Sequence, residues 1–136
     1  MQLLTNPKTD YLLEASLESL HAESLEWLKE IDFWSDEMAF FYRLLRKSHA
    51  AKAYPTAELA SVEMELVTLT SDKVDKLRSD VLRHERELSA VIRSISSGDE
   101  ERYRETHRKL LIDIYETLVQ IKAFKKEVFS FVKKYE

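Results

Sequence analysis

Apolar residues recur along this chain at alternating three- and four-residue spacings, the period of an α-helix that buries one face. The first run is Leu13, Leu17, Leu20, Trp27, Ile31, Trp34, Met38, Phe41 and Leu45, and Ser24 stands where a further hydrophobe is due. The second is Leu59, Val62, Leu66, Val74, Leu77, Val81, His84, Leu88, Val91 and Ile95, with a slip near Thr70 that resembles a stutter and predicts local unwinding. The third is Tyr103, His107, Leu110, Ile114, Leu118, Ile121, Phe124, Val128, Phe131 and Tyr135.

The breaks between these runs carry the residues that end and start helices. Asn6-Pro7 pairs an N-cap with proline at a first helical position, where its missing N–H costs nothing. Tyr54-Pro55 stops one helix and opens the next, because the residue before proline is pushed out of the α region. Ser96-Ser97-Gly98-Asp99-Glu100 joins a permissive glycine to a Ser97/Glu100 capping box. The chain therefore reads as one domain over 1–136, with helices over 7–53, 55–96 and 99–135. Three rods of roughly 55 to 65 Å with short turns must lie antiparallel. The expected fold is all-α, an up-down-up bundle with coiled-coil-like seams.

Composition narrows the function. At 136 residues, 44% hydrophobic and 34% charged, the chain has enough apolar side chains for a core of its own and no run approaching a membrane span. The start, Met1-Gln2-Leu3-Leu4-Thr5-Asn6-Pro7, does not read as a secretory signal, so the expectation is a cytoplasmic protein. The absence of cysteine excludes disulfides and thiol chemistry. A net charge of -4 argues against general nucleic-acid binding.

Antiparallel registry pairs positions whose numbers sum to about 108 for the first two helices and about 196 for the last two, which puts Ser24, His84 and Ile112 in one layer. The polar interruptions of two seams then meet, and a buried Ser24–His84 hydrogen bond that fixes register is expected. His21 and His107 fall within about two turns of this layer. The three histidines, with Glu18-Ser19-Leu20-His21 matching one Glu-x-x-His pair, make a ligand- or metal-binding bundle the alternative reading. Glu18, however, projects away from the seam, no second copy of the motif occurs, and no seam position holds a carboxylate, so no metal or cofactor is expected. Nothing in the chain supplies an exposed nucleophilic serine or a phosphate-cradling loop, and catalysis is not indicated.

Two surface features remain. Residues 1–40 carry nine acids against Lys8 and Lys29, whereas Arg43, Arg46, Lys47 and Lys52 meet Lys122, Lys125, Lys126, Lys133 and Lys134 at the other end of the bundle. That end reads as a solvated surface with cross-helix pairs, or as a site for an acidic partner. Phe33, Phe40 and Leu44 lie together about 150° from the centre of their own seam, and Ile112, Tyr115 and Val119 form a weaker stripe off the third seam. Neither stripe can join the common core, so both are expected to be interaction surfaces. Self-association or binding of another helical protein is the expected role.

At Glu26-Trp27-Leu28, Phe33-Trp34-Ser35-Asp36-Glu37-Met38 and Arg43-Leu44-Leu45, and again at Leu82-Arg83-His84-Glu85, the chain resembles an uncharacterised family of short all-helical bacterial proteins. The resemblance implies a bacterial cytoplasmic protein and brings no activity, ligand or catalytic residue.

Overall fold

A computed structural model describes residues 16–50, 56–93 and 97–134. The Asn6-Pro7 cap, Leu13, the Tyr54-Pro55 turn, Lys52, Ile95 and Tyr135 lie outside them. The described residues form three helical rods. The first is α1 (Leu17–Ala50); the second runs through α2 (Thr56–Thr68), a π-helical turn (Leu69–Asp75) and α3 (Lys76–Arg93); the third is α4 (Ser97–Lys134). No strand occurs among the described residues.

Cross-helix pairs fix the directions. Arg78 with Asp32 and Arg46 with Glu63 run against each other in sequence, so the second rod is antiparallel to α1. Glu23 with His107 and Glu37 with Lys125 rise together, so α4 is parallel to α1. This is the up-down-up arrangement that the short connections demand.

The seams pack where their period puts them. Trp27, Ile31, Trp34, Met38, Phe41 and Leu45 of α1, Leu59, Val62, Leu66, Val74, Leu77 and Val81 of the second rod, and Leu110, Ile114, Ile121, Phe124, Val128 and Phe131 of α4 form one buried cluster. Leu111 and Thr117 are buried beside their seam, and Leu118, expected within it, is only half-buried. A second, smaller apolar cluster of Leu20, Leu88 and Tyr103 closes one end of the bundle.

The slip near Thr70 is resolved by the π-helical turn rather than by a stutter across the whole seam. Leu69 is buried and fills the gap, and the five-residue step from Leu69 to Val74 is spanned by the turn's i→i+5 hydrogen bonding. Thr70 Oγ1 and Ser71 Oγ donate to the carbonyls of Leu66 and Val67, each at 2.8 Å, and so satisfy acceptors released where the helix widens. One residue of slack is therefore stored here. Deleting exposed Ser71 makes the seam step four residues and leaves Val74 and Leu77 facing the core. The variant is expected to unfold within about 1 kcal/mol of the parent in urea, and a loss above about 3 kcal/mol would show that the turn is not slack.

Candidate functional site

Between the large core and the small end cluster lies a polar layer. Glu23 and Ser24 come from α1, His84 from α3 and His107 from α4, and all four are buried. His107 Nε2 lies 2.7 Å from Glu23 Oε1, and His107 Nδ1 lies 3.0 Å from His84 Nε2. These contacts set the tautomers. A carboxylate only accepts, so His107 carries its proton on Nε2, its Nδ1 accepts the Nε2–H of His84, and His84 Nδ1 is left as a bare acceptor.

Aromatic rings seal the chain on both sides. Trp27 stacks on His107 with centroids 4.4 Å apart, and Tyr103 stacks on His84 at 4.1 Å with the rings 12° from parallel. Burial first, and the neighbouring His107 second, hold His84 well below its ordinary 6.5, at about 3. The Tyr103 hydroxyl is pushed up, chiefly by burial and then by the charge of Glu85. His21 is hydrogen-bonded to Glu85 at the edge of the layer.

The expected Ser24–His84 hydrogen bond does not form. Ser24 Oγ and His84 Nδ1 are both buried without a hydrogen-bond partner among the described residues, as are Trp27 Nε1, Glu85 Oε1 and the Tyr103 hydroxyl. α1 and the second rod keep about the expected register, with Asp32 on Arg78 and Glu63 on Arg46, but α4 is displaced by about one turn, so His107, not Ile112, meets His84 and takes its Nε2–H. Ile112 is half-buried outside this layer. Glu23 escaped the sequence reading because Ser24, its neighbour, already filled the seam; yet Glu23 sits four residues before Trp27 and shares its face. A carboxylate does therefore enter the core, whereas Glu18 is exposed.

The arrangement orients and neutralises its members more readily than it performs chemistry. It has the carboxylate–imidazole logic of a general base, but among the described residues no hydroxyl stands within hydrogen-bonding distance of His84 Nδ1. His21 is committed to Glu85, and His84 and His107 to each other. Among the described residues no group of three or more His, Cys, Asp or Glu is placed to hold a metal ion.

The second candidate is on the surface between α1 and α4. Phe33 is 56% exposed, Phe40 51% and Phe129 57%. The rings of Phe40 and Phe129 each lie 5.7 Å from that of buried Phe41, edge-on from two helices, so they belong to one aromatic face. Tyr115 and Val119 are also exposed. Leu44 departs from expectation: it is half-buried and packs against the core. Phe129 was hidden in the sequence by its seam neighbour Val128.

Charges around this face sort themselves. Of the bases at this end, Arg46 pairs with Glu63 at 3.7 Å, Lys125 with Glu37 at 2.9 Å and Lys134 with Glu58 at 3.5 Å. Arg43, Lys47, Lys122, Lys126 and Lys133 make no ion pair among the described residues. No described helix is long and apolar enough to cross a membrane. Comparison of the chain with protein-family models, with curated proteins and with solved structures finds no match.

Proposed function

We propose that this chain is a non-enzymatic helical interaction module that binds through the α1/α4 aromatic face, with a second copy of itself as the first partner to test. The observation that carries the reading is the exposure of Phe33, Phe40 and Phe129 on one face. Burying one such ring contributes about 1.5–3 kcal/mol, and three together supply a hot spot of the size that specific interfaces use. The polar layer fits the same reading as a device that fixes helix register, since a carboxylate and two imidazoles hydrogen-bonded in a chain across three helices tolerate no slip. The alternative, a small-ligand bundle built on His21, His84 and His107, is less well supported, because Trp27 and Tyr103 occupy the faces a ligand would use.

Light scattering across a dilution series tests the reading. The native chain is expected to gain mass with concentration, and Phe33→Glu/Phe40→Glu, still helical by circular dichroism, is expected to remain a monomer. A native chain that stays monomeric at every concentration would remove self-association.

A further inference from the structure

The aromatic face is also a basic one, and the spacing is regular. Arg43 and Lys47 follow Phe40 by three and seven residues, while Lys122, Lys126 and Lys133 stand seven before, three before and four after Phe129. At these spacings each base shares its helix stripe with the phenylalanine. Five positive charges that make no ion pair among the described residues therefore rim two exposed rings. If two such faces met about a two-fold axis, bases would face bases, and like charges brought together across an interface weaken it.

A surface of opposite character lies elsewhere on the same molecule. Between α2 and α4, beside the π-helical turn, runs an open groove of about 570 Å³ with Leu69, Ala123 and Phe124 in its walls and Met64 at its rim. Met64 is 72% exposed and Val67, one turn on, 53%. Glu65 lines the groove with Glu127 as its neighbouring carboxylate, and Lys73 is the one base among the described residues that line it. Glu65 is held above its ordinary 4.5, through burial first and then the neighbouring Glu127. An incoming ammonium group relieves that repulsion.

Resting on the reading of the α1/α4 face as an interaction surface, we infer that its occupant is the Met64/Leu69 groove of a second copy, with Phe40 and Phe129 entering the groove and Lys122 and Lys126 meeting Glu65 and Glu127. The two surfaces lie on different sides of the bundle, so the contact is heterologous. Each copy keeps one free face and one free groove, and assembly continues beyond a dimer into a ring or filament.

Complementary charge reversals test this. Lys122→Glu/Lys126→Glu spoils only the face, and Glu65→Lys/Glu127→Lys spoils only the groove; all four positions are exposed, and circular dichroism verifies the helix content of each variant. By sedimentation velocity the native chain is expected to grow past dimer with concentration, each variant alone to stay monomeric, and an equimolar mixture to grow past dimer again, because the native face meets the native groove and the reversed face meets the reversed groove. Raising the salt concentration is expected to weaken that assembly. If the groove variant self-associates like the native chain while the face variant does not, the contact is face to face: this inference fails and the interaction-module reading stands. If the native chain is monomeric throughout, both fail.

Discussion

His107→Leu is expected to lower the free energy of unfolding by about 3–5 kcal/mol at pH 7, read from urea titrations, which is a large share of what a domain of this size possesses. The imidazole is fully buried, and its Nε2–H is the donor to Glu23 Oε1, so leucine leaves a carboxylate in the core without that partner. On the other side His84 Nε2–H loses its acceptor, and Trp27 loses a stacked ring. Volume is not the issue, since leucine fills a similar space. The triple change Glu23→Leu/His84→Leu/His107→Leu removes the whole chain of polar groups together, and replacing a buried polar network by apolar residues of similar size is often neutral or stabilising. It is expected to recover most of the loss. The contrast between single and triple variants separates the cost of a broken network from the worth of an intact one. A single variant that loses less than about 1 kcal/mol would mean that Glu23 finds water or another donor, and that the layer does not hold register. If the triple variant is stable but its helix–helix register is no longer unique, with broadened amide resonances, then the layer's contribution is specificity rather than stability.

The rods were legible in the sequence because period, proline and glycine agree, and the seam positions from Trp27 to Leu45 and from Ile114 to Phe131 are buried almost as written. What the one-dimensional pattern lacks is the axial offset between helices. An offset of about one turn leaves every apolar seam residue facing an apolar seam, so Ile114 or Ile121 is indifferent to it; the polar residues are not, and the offset of α4 sets His107 rather than Ile112 against His84. The same limit hid the aromatic face. Phe33 and Phe40 stand out on their own helix, but their junction with Phe129 exists only once α4 is set parallel to α1. The π-helical turn was visible as a disturbance near Thr70, though not as a single stored residue, because Leu69 was left out of the seam.

Acid is expected to destabilise the fold from pH 7 downward, well before the carboxylates titrate, and His84 is the source. In the unfolded chain this imidazole takes up a proton near its ordinary 6.5, whereas in the folded chain it stays neutral until about 3. Between those values the unfolded state binds the extra proton, so stability falls as pH falls, by up to about 1.4 kcal/mol for each pH unit below 6.5. The direction follows from the surroundings. Around His84 stand Glu23 and His21 from α1, Glu85 on its own helix, and Tyr103 and His107 from α4, but among the described residues its Nε2 bonds only His107, and a charge on His107 opposes a second one on His84. The ring is 1% exposed, so water cannot solvate a charge on it. Urea titrations between pH 7 and 5.5 give the slope, and His84→Leu provides the comparison. That variant is expected to be less stable at pH 7 by about 1–3 kcal/mol, because His107 Nδ1 loses its donor, but to show a markedly flatter pH dependence, so that the two curves converge on acidification. Equal slopes would assign the acid sensitivity to other groups and would place a solvated, titratable imidazole at position 84.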